Sequence, residues 1–156
     1  MVDERTGTLI LGSLPGTASL AAARYYAHPR NQFWRLVGAA IGVELEPRRY
    51  EERLALLLDH GIGLWDVIAD AERSGSLDAA IRAPAANDLQ SLAARLPRLH
   101  TVAFNGGTSA RIGTAQLGDM AHGLRLLSLP SSSPAYTVPF DVKLAAWSLL
   151  SRRDSS

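Results

Sequence analysis

Three short apolar runs in this chain each end in a loop of small polar residues with Gly or Pro. Thr8-Leu9-Ile10-Leu11 stops at Gly12-Ser13-Leu14-Pro15-Gly16, Leu99 to Phe104 at Asn105-Gly106-Gly107, and Leu124 to Leu129 at Pro130-Ser131-Ser132-Ser133-Pro134-Ala135-Tyr136. Runs so punctuated read as buried strands, and Ile62 to Ile68 reads as another strand or a strand end. Between them the apolar period lengthens to that of helices. Phe33, Trp34, Val37, Ala40 and Ile41 share a face that ends at Gly42, and Leu54, Leu57 and Leu58 share one from about Tyr50 to His60, capped by Gly61. Asn87-Asp88 reads as the cap of a helix running to Leu96, and a further helix starts near Ser109. Phe140 to Leu150 reads as the last, with Phe140, Leu144, Trp147 and Leu149 or Leu150 facing inward. Strands alternating with helices predict an α/β fold, a three-layer sandwich with a central mostly parallel four-stranded sheet flanked by helices. In such a sheet the strand-end loops emerge at one edge, the carboxyl edge, where ligands bind. The functional site is therefore expected there, lined by backbone amides and hydroxyls.

Composition removes several kinds of chemistry. The chain has 156 residues, which fits one domain over 1–156 with a frayed polar tail from Arg152 to Ser156. It has no cysteine, so disulfides, thiolate nucleophiles, iron–sulfur clusters and Cys-type zinc sites are excluded. His28, His60, His100 and His122 are scattered, which predicts no metal site and no cofactor. No apolar run reaches the roughly 18 residues a membrane span needs. Met1 to Gly7 carries Asp3 and Glu4 and lacks the layout of a secretion signal. The expectation is a cytoplasmic monomer with no membrane partner.

Net charge is only +1, but it is unevenly spread. Arg5, Arg24, Arg30 and Arg35 occur with no acid between them, nine acids crowd Glu44 to Asp78, and Arg95, Arg98, Arg111 and Arg125 face only Asp119 before Phe140. Two readings stay open at this point, a one-sided patch for phosphates and scattered solvated charge.

The densest element is Tyr25-Tyr26-Ala27-His28-Pro29-Arg30-Asn31-Gln32-Phe33-Trp34. Flat rings in a Pro-containing loop offer faces on which a base can stack. His28 and Asn31 bring hydrogen-bonding groups, Arg24 and Arg30 bring charge. Phe33 and Trp34 fit the core face of the following helix instead. The Gly12 to Gly16 loop can cradle an anion or a carbonyl with its N–H groups. It has neither the Gly-Lys-Ser/Thr of a phosphate loop nor the Gly-x-Gly-x-x-Gly of a dinucleotide fold.

Leu9-Ile-Leu-Gly-Ser-Leu-Pro-Gly16 followed by Tyr25 to Trp34 resembles the hypoxanthine-DNA glycosylase branch of the uracil-DNA glycosylase superfamily. His28-Pro-x-Asn31-x-Phe-Trp34 is also similar to the mismatch-specific uracil/thymine-DNA glycosylases. The resemblance continues through Gly63-Leu-Trp-Asp-Val67, Gly75-Ser-Leu-Asp78, Phe104-Asn-Gly106 and Ser131-Ser-Ser-Pro-Ala135. It implies a DNA glycosylase acting on DNA that contains a deaminated base. The resemblance makes Asn31 the catalytic residue, Gly12, Ser13, Leu14, Tyr26 and Asn105 the base-binding residues, and Ser131, Ser132, Ser133, Pro134, Ala135 and Tyr136 the DNA-binding loop. Relatives often carry an Asp or Asn in the first loop, where this chain has Ser13 and Leu14, and a histidine in the last, where it has none. Both departures point away from ordinary uracil excision.

Asp66 ends a strand and is a second candidate for handling water, beside a structural role. A serine hydrolase drawn from Ser13, His28 and Asp66 lacks the Gly-x-Ser-x-Gly elbow. A nucleic-acid-binding module without catalysis is the other rival. The one lysine, Lys143, falls in the last helix, so a Schiff-base lyase step is not expected.

Overall fold

The computed structural model describes residues 1–12, 25–26, 30–66 and 85–151, with the backbone alone for 85–88. Ser13, Leu14, His28, Val67 and Gly75 to Asp78, with the tail from Arg152, lie outside the described residues. In chain order the elements are β1 (Thr8–Gly12), α1 (Phe33–Ile41), α2 (Tyr50–Asp59), β2 (Ile62–Asp66), α3 (Ala85–Ala94), β3 (Thr101–Asn105), α4 (Gly107–Leu117), β4 (Arg125–Leu129) and α5 (Phe140–Trp147). Short 3-10 turns follow α4 at Gly118–Gly123 and α5 at Ser148–Ser151.

The strands form one four-stranded sheet in the order β2-β1-β3-β4, and every pairing is parallel. Alternate side chains of a strand point to opposite faces, and both faces here are apolar, as a covered parallel sheet requires. Leu9, Leu11, Val102 and Phe104 meet Leu89, Leu92 and Leu96 from α3 and its end, with Ile112 and Leu117 from α4. On the other face Ile10, Ile62, Leu64, Ala103, Leu127 and Leu129 meet Phe33, Trp34 and Val37 of α1, Leu57 of α2 and Trp147 of α5. The expected three-layer α/β sandwich is the observed one.

At the element ends some local signals set the boundary and others are overridden. Gly42 stops α1 with a left-handed φ of 77°, as its position predicts. The helix expected to be capped by Asn87-Asp88 starts earlier, at Ala85, because two alanines are strong helix formers and extend it past the polar pair. β3 begins at Thr101 rather than Leu99, whose N–H turns back to the Leu96 carbonyl. The last α-helix closes at Trp147 and tightens into a 3-10 turn.

Topology divides the described arginines between the two edges of the sheet. Arg5 precedes β1, Arg95 and Arg98 precede β3, and Arg125 opens β4, so these four belong to the amino edge of the sheet. Arg30, just before α1, sits with the strand-end loops instead. Among the described arginines, Arg35 and Arg111 likewise belong to α1 and α4, the helices that start at the carboxyl edge.

Candidate active site at the carboxyl edge

The strand register sets the floor of the site. Gly12 pairs with Asp66, Leu11 with Phe104, and Asn105 with Leu129, so Asp66, Gly12, Asn105 and Leu129 end four adjacent strands nearly level. A β-carbon at Gly12 would fall 2.6 Å from Asp66 Oδ1 and 3.3 Å from the Tyr26 hydroxyl. Only glycine lets both groups close over the strand end.

Tyr26 reaches this floor from the loop before α1. Its ring stacks on Phe33, with centroids 3.7 Å apart and planes within 10°. Phe33 is fully buried and is held edge-on by Trp34 and Trp147, so the stack has a fixed base. Tyr26 also has φ 53°, in the left-handed region that bulky residues avoid. Such a conformation persists only where surrounding contacts impose it, commonly at functional sites. Burial is the main cause that raises the Tyr26 phenol well above the usual tyrosine range; a hydrogen bond with Asn105 opposes the rise, and Asp66 and Tyr25 add to it. Beside it, the half-buried Tyr25 hydroxyl donates to the Leu64 carbonyl (3.4 Å), and its phenol is pushed up to about 12, first by burial and then by Asp66.

Asn31, Asn105 and Ser132 form a connected set. The Ser132 N–H donates to Asn105 Oδ1 (2.8 Å), and Asn105 Nδ2 donates to Ser132 Oγ (2.9 Å). Ser132 Oγ donates in turn to Asn31 Oδ1 (2.7 Å), which also accepts the Phe33 N–H (3.0 Å). The second of these bonds is an Asx turn that leads the chain into α1. The Gln32 N–H closes the set on the Ser132 carbonyl (3.0 Å). Three segments far apart in sequence are thus locked together at one point.

The loop after β4 is anchored at one end and open at the other. Trp147 Nε1 donates to the Pro130 carbonyl (2.8 Å). Gly106, with φ 97°, lets the start of α4 pass close to Ser131, where a β-carbon would lie 3.3 Å from that of Ser131. Ser131 Oγ accepts the Ser133 N–H, and Ser133 Oγ accepts the Ala135 N–H, which are turn-forming bonds. Pro134, Ala135 and Tyr136 are exposed. The three serines look alike in sequence, yet Ser132 is 1% exposed and turned inward while its neighbours are only half-buried.

The structure brings Gly12, Tyr26, Asn31, Asn105 and Ser132 together and leaves Pro134 to Tyr136 as the outer lip. Phe33, read from its spacing as a core residue, is also the platform under Tyr26. Lys143 gave no signal of proximity in the sequence. It is 1% exposed, and its Nζ donates to Gln32 Oε1 (2.9 Å) and to the Ser133 carbonyl (3.2 Å), tying α5 to both polar segments. Among the described residues, no group of three His, Asp or Glu side chains is placed to hold a metal ion, and no helix is long and apolar enough to cross a membrane.

Comparison with known proteins gives this geometry a context. The sequence profile of the Uracil DNA glycosylase superfamily matches residues 1–151. A hypoxanthine DNA glycosylase of Methanosarcina acetivorans is 42% identical over 135 residues, spanning 86% of this chain and 84% of that protein. One from Methanosarcina barkeri is 44% identical over 109 residues, 70% of this chain and 69% of that protein. The solution NMR structure of a candidate uracil DNA glycosylase from Methanosarcina acetivorans superposes with a TM-score of 0.77 at 37% identity, covering 97% of this chain and 92% of that one. A match of this length, on a sheet whose carboxyl edge carries the motifs in the expected order, means that the chain belongs to the uracil DNA glycosylase superfamily.

Proposed function

We propose that the protein is a monofunctional DNA glycosylase that removes hypoxanthine from DNA in base excision repair, acting as a cytoplasmic monomer without metal or cofactor. It hydrolyses an N-glycosyl bond: water oxygen bonds to C1′, the C1′–N bond breaks, and a proton ends on the released base. The observation that carries the reading is the Tyr26–Phe33 stack beside the joined amides of Asn31 and Asn105. The curated relatives named for hypoxanthine support the choice of base.

A base inside a duplex is out of reach, so the nucleotide must be extruded. Its base stacks on Tyr26, with Gly12 and Asn105 at its edge, and the family resemblance assigns Ser13 and Leu14 to the same contact. Ser131, Ser133, Pro134, Ala135 and Tyr136 form the loop surface that meets the DNA, with amides and the half-buried Ser131 and Ser133 toward phosphate and the exposed tip toward the vacated stack, while Ser132 in the same loop turns inward to Asn31 and Asn105. Bond breaking leaves positive charge on the sugar and negative charge on the base. Preorganised N–H donors stabilise that separation more than they stabilise the ground state. Asn31 supplies an amide at the reacting centre; it is no general base, because an amide is not usefully basic.

The test is base release from duplexes carrying deoxyinosine, deoxyuridine or thymine opposite guanine, with alkali to reveal abasic sites. Hypoxanthine release at the highest rate is expected. Preferred release of uracil or mismatched thymine would move the chain to the other branches of its family. Tight, salt-dependent binding with no base released from any duplex would favour a binding module and sink the enzymatic reading.

A further inference from the structure

We infer that Ser132 is a positioning residue that, together with the Phe33 N–H, holds the Asn31 amide with its Nδ2 hydrogens toward the leaving base. This rests on the glycosylase reading and specifies how its central residue works. The orientation of the amide follows from elementary hydrogen-bond rules. A backbone N–H can only donate, so the atom that accepts the Phe33 N–H at 3.0 Å must be the Asn31 oxygen. The same rule fixes Asn105, whose oxygen accepts the Ser132 N–H at 2.8 Å and whose Nδ2 therefore faces Ser132 Oγ at 2.9 Å. With Asn105 donating to it, Ser132 Oγ directs its single proton to Asn31 Oδ1 at 2.7 Å.

Both lone pairs of Asn31 Oδ1 are then occupied. What remains is an NH2 group, a donor. Ser132 is 1% exposed, so no solvent molecule takes over its hydroxyl, and its backbone is pinned by Gln32 and Asn105. A carbonyl oxygen held in this way does not orient an attacking water. Two N–H groups instead suit the negative charge that builds on the departing purine, which carries ring nitrogens and a carbonyl oxygen as acceptors.

The test uses single-turnover excision from a deoxyinosine duplex, together with the dissociation constant of that duplex. In Ser132→Ala the oxygen of Asn31 keeps only the Phe33 N–H, so the amide is held by one hydrogen bond instead of two and its NH2 is less firmly aimed. Its chemical rate should fall by about 10- to 100-fold, with duplex affinity within about twofold of wild type, since one aimed donor is commonly worth that much or more. A merely structural serine would lower the melting temperature and leave the rate of the folded fraction intact. Asn31→Asp at neutral pH offers a carboxylate oxygen where the NH2 stood, so its rate should fall at least as far as that of Asn31→Ala. Wild-type rates in Ser132→Ala, or an active Asn31→Asp, would overturn this role while leaving the glycosylase reading in place. A wild-type protein that releases no base overturns both.

Discussion

The ring of Tyr26 lies 3.7 Å from that of Phe33 and within 10° of parallel, and Phe33 itself has no exposed surface. A substrate base added to Tyr26 would therefore extend a stack already rooted in the core. Stacking is worth about 1–3 kcal/mol per base, which is a factor of roughly 5 to 150 in affinity.

Tyr26→Ala should weaken binding of a deoxyinosine duplex within that range, as read from the dissociation constant. Tyr26→Phe keeps the stack and loses only the hydroxyl beside Asn105, so its affinity should stay within about tenfold of wild type. Equal losses in both variants would mean that the hydroxyl, and not the ring face, is what the substrate needs.

Gly12→Ala tests the floor of the site. The new methyl would stand 2.6 Å from Asp66 Oδ1 and 3.3 Å from the Tyr26 hydroxyl, and both are side-chain ends that can swing away. The cost should appear in function more than in folding: a drop of at least about 10-fold in single-turnover rate with a melting temperature changed by only a few degrees. A variant with the wild-type rate would show that the Asp66 and Tyr26 positions are not critical.

The sandwich was legible because its signals are local. Buried parallel strands read as short apolar runs, and helices as apolar residues three and four apart, so Ile10 and Phe33 could each be assigned from their neighbours. The contacts at the site are not local. Ser132 Oγ meets Asn31 across 101 positions and Lys143 meets Gln32 across 111. Nothing in Ser131-Ser132-Ser133 says which hydroxyl turns inward; that depends on where the end of β3 delivers Asn105. Lys143 shows the same limit: its place in the last helix says nothing of the loops, yet its Nζ finds two oxygens at the junction of two loops and is buried there.

Alkaline pH should expose the buried phenols. Tyr25 is pushed up to about 12 and Tyr26 higher still in the folded protein, while an unfolded tyrosine ionises near 10. Below about pH 10 both states hold the phenol protons and the stabilisation is fully present. As pH rises from about 10 through about 12, the unfolded state loses protons that the folded state keeps, so stability falls. Absorbance at 295 nm should show late-ionising tyrosine amplitude that diminishes in Tyr25→Phe and in Tyr26→Phe. Full ionisation of all four tyrosines by pH 10.5, with the fold intact, would contradict the burial.

Lys143 is the one side chain that could turn this enzyme into a lyase, and its surroundings argue against that. Burial holds its ammonium below the usual lysine range, which by itself favours a nucleophilic amine. Its Nζ is nevertheless bound to Gln32 Oε1 and the Ser133 carbonyl, in a residue 1% exposed. An attack on an abasic sugar would have to break both contacts and bring the amine out from beneath the loop. Borohydride added during reaction with a deoxyinosine duplex should therefore trap no covalent protein–DNA adduct, and strands should break only after alkali. Lys143→Met, of similar length but without donors, should still release base, with duplex affinity lowered several-fold because Ser133 loses its tether to α5. A trapped adduct that disappears in Lys143→Met would replace the monofunctional assignment with a glycosylase-lyase.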